Sequence, residues 1–167
     1  AALKQTPQDA DLLYERGLAL YALGRFEEAA AALESAATLA PDVPRTWNNL
    51  ALAQHALGQH EDAIRNYTRY LETQPDDDKA RTSLGIALMD ARRHAEALPV
   101  FEALLQRHTN DAALQYDYGR ALTGAHRYDE AITAYRRALR LEPGHVKAMN
   151  NLAFTLALSG GNEEAEA

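Results

Sequence analysis

Apolar residues along the chain fall at helical spacing in paired short runs, each run closed by a polar or glycine-containing break. In one such pair Trp47, Leu50, Ala51 and Ala53 form the first run, and after Gly58 come Ala63, Ile64, Tyr67, Tyr70 and Leu71. The pattern then returns at an interval of 34 residues. Ala22-Leu23-Gly24-Arg25-Phe26-Glu27-Glu28-Ala29 aligns with Ala56-Leu57-Gly58-Gln59-His60-Glu61-Asp62-Ala63, then with Ala91 through Ala97, with Ala125 through Ala131, and with Ser159 through Ala165. Ala29, Ala63, Ala97, Ala131 and Ala165 form one column. Gly17, Ala51, Gly85, Gly119 and Ala153 form another, all small enough to let two helices approach closely. Leu33, Tyr67, Phe101 and Tyr135 form a third, large and apolar.

Each repeat therefore reads as two antiparallel helices. The first helices are predicted near 11–23, 45–57, 79–91, 113–125 and 147–158, the second near 27–40, 61–73, 95–108 and 129–141, with a stub from 162. Pro7, Pro41, Pro75 and Pro143 mark the joints between pairs, with Thr109 the exception. Acids open the second helices, where they complement the positive end of the helix dipole. The boundaries become a tail at 1–9, full repeats at 10–43, 44–77, 78–111 and 112–145, and a truncated repeat at 146–167, all in one array. Ala1 through Pro7 is in phase with Ala36 through Pro41, so the chain reads as a piece of a longer array.

Composition strengthens the helical reading. Ala (34) and Leu (24) make up about a third of the chain, while Val and Ile together number six, too few for a sheet. A net charge of -7 with interspersed signs argues against binding nucleic acid or an anionic membrane surface. No apolar run approaches the ~20 residues of a membrane span. The absence of cysteine removes disulfides and thiolate metal sites but leaves cytoplasm and periplasm equally open.

These columns resemble the tetratricopeptide repeat family, whose signature has a large residue, Leu-Gly, an aromatic, Ala, a second aromatic and a closing Pro within one repeat. Trp47-Asn48-Asn49-Leu50-Ala51, Ala63, Tyr67 and Pro75 match it best. Arg16, Arg81 and Gln115 occupy apolar positions of the signature, Arg92 and His126 replace the turn glycine, and Pro99 lies inside a second helix, where it should remove a hydrogen bond and kink the third repeat. The resemblance implies an all-α, right-handed α-solenoid of stacked antiparallel helix pairs. It also implies that the first helices line a concave groove that binds an extended peptide or a partner helix.

By the same resemblance the groove residues are Tyr14, Leu18 and Tyr21, then Asn48, Asn49, Leu52 and His55, then Thr82, Ser83, Ile86 and Met89. The series continues with Tyr116, Asp117 and Arg120 and ends with Asn150, Asn151 and Phe154. Leu18, Leu52, Ile86 and Phe154 make an apolar line interrupted by Arg120, either a ligand stripe or a surface the solenoid covers itself. Asn49 and Asn151 stand where peptide-binding relatives carry an asparagine ladder, because a side-chain amide can donate to and accept from any backbone. A local role, bonding the neighbouring helix or water, is an equal alternative. By the same resemblance, the carboxylate clamp of chaperone-tail binders needs Lys and Asn on one first helix, Asn on the next and Lys plus Arg on the third, and no three successive repeats here supply it.

The six His residues do not form an i, i+4 pair with a third ligand in reach, so they read as structural, with no metal or cofactor expected. Adjacent acids such as Glu27-Glu28 diverge on a helix, and no phosphate loop or nucleophile elbow is present, so no enzyme activity is expected. The leading expectation is a protein-binding module, with two alternatives. These are the substrate-selecting arm of a larger enzyme such as a glycosyltransferase, and a self-assembling scaffold whose ends meet weakly head to tail. The Ala, Arg and Leu bias suggests a bacterial source, and Met149 through Ala157 resembles the tail of repeat lipoproteins that assist pilus assembly.

Overall fold

The computed structural model describes the backbone of residues 7–165 and the side chains of residues 9–160. Among the described residues all regular structure is α-helix: α1 (Pro7–Ala22), α2 (Phe26–Leu39), α3 (Pro44–Ala56), α4 (His60–Thr73), α5 (Asp78–Asp90), α6 (His94–Arg107), α7 (Ala112–Gly124), α8 (Tyr128–Leu141) and α9 (Val146–Ala165). The second helices fall within a residue of expectation, and so do α3, α5 and α7. α1 begins at Pro7 rather than near 11, so residues 7–9 of the expected 1–9 tail belong to α1, and residues 1–6 lie outside the described residues. The chain divides into two compact units, residues 1–87 and 88–167, with α5 running across the division.

The sharp turn inside each helix pair has one geometry, used four times. Gly24 and Gly58 adopt φ 73° and 74°, and Arg92 and His126 adopt φ 63° and 61° in the same column. The amide of Gly24 donates to the Tyr21 carbonyl at 2.9 Å and that of Arg25 to the Leu20 carbonyl at 2.9 Å, the Schellman closure of a helix C-terminus. Arg127 to Leu122 at 2.9 Å and His126 to Thr123 at 3.0 Å repeat it, with side chains in a conformation that glycine adopts at lower cost. Arg25, Arg93 and Arg127 then precede α2, α6 and α8 and pair bidentately with Glu28, Glu96 and Glu130 in the first turn. The carboxylates sit where the helix dipole favours them, and these exposed pairs add little stability of their own.

First helices start from a different column. Asp77 Oδ1 accepts from the amides of Lys79 and Ala80 at 3.0 Å, Asp111 Oδ1 from Leu114 at 3.0 Å, and His145 Nδ1 from Ala148 at 3.2 Å. The two Asp caps satisfy first-turn amides that have no partner within the helix, and His145 adds to the bond that Ala148 already makes to the His145 carbonyl at 3.0 Å. Val43 fills this position before α3 with suitable φ −97° and ψ 97° but makes no side-chain cap.

In the first unit Leu20, Ala29, Ala32, Leu33, Leu50 and Ala53 form a buried cluster, with Tyr14, Tyr21 and Trp47 packed on it. In the second, Leu98, Phe101, Leu104, Leu122, Ile132 and Tyr135 are buried. The alanine column is fully buried at Ala29, Ala63, Ala97 and Ala131, while the side chain of Ala165 lies outside the described residues. The small column does what its size allows: a Cβ on Gly119 would stand 2.6 Å from Tyr135 Cε1. α6 stays one helix across Pro99, which is exposed, as is Ala95, whose carbonyl would otherwise take the proline's missing bond.

One expectation is corrected. The last first helix was placed at 147–158 with a new helix from 162, but α9 runs unbroken from Val146 to Ala165 through Gly160, the turn column. Helices of this size are held by packing rather than propensity, and the sequence Gly161 through Ala165 contains no large apolar residue to draw the chain into a reversal at Gly160. Among the described residues no helix is long and apolar enough to cross a membrane.

Candidate functional site

In the first unit the sequence-selected residues lie on one side of α1 and α3. Asn49 donates both amide hydrogens, one to the Tyr14 hydroxyl at 3.0 Å and one to the Arg45 carbonyl at 2.9 Å, which leaves its Oδ1 open. The Arg45 guanidinium covers the Tyr14 ring at 4.7 Å and reaches Asp11 at 3.1 Å. Tyr21 packs against Phe26 at 5.2 Å, and His55 against His60 at 5.5 Å between ring centroids. Leu18, Asn48, Leu52, Ser83 and Ile86 are all half-buried. The apolar line is therefore partly covered by its own neighbours through this unit.

In the second unit the same register is built differently. Asn151 on α9 donates to the Tyr116 hydroxyl at 3.5 Å, the counterpart of Asn49 on Tyr14 but longer. The Tyr116 ring has the Arg120 guanidinium over it at 5.7 Å and the His145 ring beside it at 4.8 Å. Arg120 Nη1 donates to Asp117 at 3.0 Å. Burial pushes the Asp117 carboxyl above its ordinary range, and Arg120 pulls it back only in part. Asn150 is exposed, and Phe154 is 61 % exposed at the open end of the apolar line.

A cavity of about 240 Å³ brings four of the selected residues together: Met89 from α5, Arg120 from α7, and Asn151 and Phe154 from α9. Met89 is buried at 4 % exposure, so it forms the cavity's wall rather than an open surface. Sequence reasoning missed the rest of the lining, chiefly Thr123, Tyr135 and Thr155. Thr123 Oγ1 lies 3.2 Å from both the Tyr135 hydroxyl and Thr155 Oγ1, and Thr155 donates to the Asn151 carbonyl at 2.7 Å. One signal could have found Thr155: its column otherwise reads Ala19, Ala53, Ala87 and Ala121. His94 also borders the cavity, its ring against Gly124, where a side chain would collide with it. Burial, then the nearby charges of Arg92, His126 and Arg120, hold its imidazole below the ordinary value.

The cavity thus offers hydroxyls, a side-chain amide, the Arg120 guanidinium, the Asp90 carboxylate, the His94 ring and an apolar rim. Such a set suits a peptide, whose backbone needs donors and acceptors and whose side chains need a pocket. A second hollow of about 710 Å³ lies between α6, α7 and α8, bordered by Leu105, Tyr118, Ala134 and Arg137.

Family models describe the chain in three overlapping stretches that together run over residues 17–155, as TPR repeat over 17–58 and as tetratricopeptide repeat over 48–113 and 112–155. The chain belongs to the tetratricopeptide repeat family. Its fold is accordingly an all-α solenoid of helix pairs, and proteins of this type serve as interaction modules. No curated protein sequence matches the chain. Among solved structures it is similar to MamA, residues 41 to the end, from Desulfovibrio magneticus RS-1, with 25% identity, TM-score 0.84, and coverage of 95% of this chain and 89% of that one. MamA AMB-1 is similar at 24% identity and TM-score 0.77, covering 93% of this chain and 85% of that one. YrrB, described as a TPR protein with an unusual peptide-binding site, is similar at 20% identity and TM-score 0.76, covering 94% of this chain and 81% of that one. In this tetratricopeptide repeat chain the departures from the signature at Arg92 and His126 keep the turn geometry that glycine serves elsewhere.

Proposed function

We propose that this chain is a non-catalytic binding module that takes an extended peptide segment of a partner protein along its first helices, with the cavity between α7 and α9 receiving one side chain. The observation that carries the reading is the gathering of Met89, Arg120, Asn151 and Phe154 around one hollow of about 240 Å³, a volume on the scale of a single side chain. Asn151 donates one long bond to Tyr116 and also reaches the Tyr135 hydroxyl, so what it offers a peptide backbone is chiefly its amide oxygen. Asn49 has both hydrogens committed, so it supports the pairing of α1 with α3 and offers a ligand only its oxygen. The half-buried state of Leu18, Leu52 and Ile86 leaves Phe154 as the apolar contact most open to a ligand. YrrB's description as peptide-binding is consistent with this use of the fold.

The test is selection of binders from a displayed random-peptide library, followed by fluorescence anisotropy with the best synthetic peptide. Phe154→Asp and Asn151→Ala are expected to weaken binding by roughly tenfold or more, equivalent to about 1.4 kcal/mol. Arg136→Ala, on an exposed part of α8, is expected to leave it unchanged. Selected peptides that bind all three variants equally would refute the site.

A further inference from the structure

We propose that the hollow between α6, α7 and α8 is a second docking site, which takes the indole ring of a tryptophan flanked by basic residues on a partner protein. It is separate from the peptide cavity and shares no lining residue with it.

The repeat itself shows what fits there. In the first unit the matching place is filled from within, by Trp47 of α3. Its Nε1 donates to the Pro41 carbonyl at 2.9 Å, the Arg69 guanidinium lies over its ring at 3.7 Å, and the ring packs on the buried cluster of that unit. Arg81, in the same column of α5, keeps the bond to the corresponding carbonyl, that of Pro75. Two repeats after Trp47 the column holds Gln115, with Thr109 in the place of Pro41 and Arg137 in the place of Arg69. The short amide replaces a ring, and Arg137 donates to the Thr109 carbonyl at 3.2 Å instead of covering an indole. Leu105 and Tyr118 are larger than their counterparts Ala37 and Leu50, yet a hollow of about 710 Å³ remains. The space is therefore set by the residue at 115, with α6, α7 and α8 all in place around it.

The lining defines the occupant. Leu105, Tyr118 and Ala134 give the hollow an apolar wall, and Gln115 at 4 % exposure adds an amide able to donate and accept. Arg137 is exposed, so its guanidinium is free to swing over an incoming ring as Arg69 covers Trp47, which releases the Thr109 carbonyl for the indole N–H. The rim is acidic: Glu102, Asp129 and Glu130 border the hollow against the one cation Arg137. Glu130 pairs with Arg127, whereas Glu102 accepts from the Tyr118 hydroxyl at 2.8 Å and Asp129 from the Ser159 hydroxyl at 3.3 Å, partners that leave both charges in place. A basic residue on either side of the ring complements that rim.

The probes are three synthetic pentapeptides, blocked at both ends: Gly-Lys-Trp-Lys-Gly, the same with Ala for Trp, and the same with Glu for both Lys. Each is titrated into the isotope-labelled chain and followed by two-dimensional amide NMR. The Lys-Trp-Lys peptide is expected to give saturable shifts at Leu105, Tyr118, Thr133 and Ala134, and each of the other two to bind roughly tenfold or more weaker. Gln115→Trp, which supplies the ring from the chain itself, should abolish those shifts, with circular dichroism showing that the fold is kept. Thr133→Arg, a cation at an exposed position on the rim, should weaken binding by about fivefold or more without touching the core. Phe154→Asp, in the other cavity, should leave it unchanged. No shifts at millimolar peptide overturn the proposal. So does binding that is indifferent to the ring or to the sign of the flanking charges, or that survives both Gln115→Trp and Thr133→Arg. Shifts gathered at Asn151 and Phe154 instead would overturn it while leaving the peptide-cavity reading intact.

Discussion

Replacing Gly119 by alanine sets two opposed effects against each other. At an ordinary helix interior the change would stabilise by about 1 kcal/mol through helix propensity. At this position the added Cβ would lie 2.6 Å from Tyr135 Cε1, 2.7 Å from Cδ1 and 3.0 Å from Cζ. Comfortable contact needs about 3.5 Å or more, so the ring must retreat by roughly 1 Å. Tyr135 has nowhere easy to go: it is 1 % exposed, its hydroxyl meets Thr123, and its ring faces Tyr116 at 6.1 Å. Overpacking of this kind costs about 1–3 kcal/mol, and losing the hydroxyl contact costs about 1 more. The net expectation is a loss of about 1–3 kcal/mol, or a fall in melting temperature of a few degrees, since each kcal/mol is worth ~2–4 °C at this chain length. Thermal and urea unfolding followed by far-UV circular dichroism would measure it. In a Tyr135→Leu background the penalty should shrink or reverse, because the shorter side chain vacates the space. Gly119→Ala unfolding at the same or higher temperature than wild type, with Tyr135 present, would refute the close-packing argument for the small column.

Val43→Asp places an acid at the uncapped start of α3, in the column of Asp77 and Asp111, and is expected to stabilise by ~1 kcal/mol in a thermal melt. Arg92→Gly relieves a side chain from φ 63° at an exposed turn and should stabilise by about 0.5–1 kcal/mol, where a mid-helix glycine would do the reverse. Asp117 is held above the ordinary carboxyl value chiefly by burial, so the folded chain binds its proton more tightly than the unfolded one, and stability falls as pH rises through that raised value. Asp117→Asn, which fixes the neutral shape, should therefore melt higher than wild type near pH 7, with the gap closing below the ordinary Asp range of about 4. A gap independent of pH would contradict that origin.

Much of this architecture is written in columns. The alanine at Ala29, Ala63, Ala97 and Ala131 and the small residue opposite Leu33 and Tyr135 fix the helix pairs, because a single frame decides which face each helix buries. Arg92 and His126 were legible as departures, and the Schellman hydrogen bonds show why they are tolerated: the turn is closed by backbone groups that any residue supplies. The cavity was less legible. Periodicity says that Thr123 and Thr155 share a side of their helices, but not that hydroxyls 32 residues apart come within 3.2 Å. The capping column of Asp77, Asp111 and His145 hides because two kinds of side chain meet one local need, a free lone pair near the helix start, while Val43 in the same column supplies none. The end of α9 escaped for another reason. Gly160 marks a turn by its column, yet a turn forms only when the residues after it have a surface to bury, and that is a tertiary condition.

The most direct measurement of the binding proposal is a two-dimensional amide NMR titration of the isotope-labelled chain with a library-selected peptide. The account predicts that the largest shift changes fall at Arg120, Thr123, Asn151 and Phe154, around the cavity between α7 and α9. Changes concentrated instead at Leu105, Tyr118, Thr133 and Ala134, in the hollow between α6, α7 and α8, would place the ligand elsewhere and contradict it.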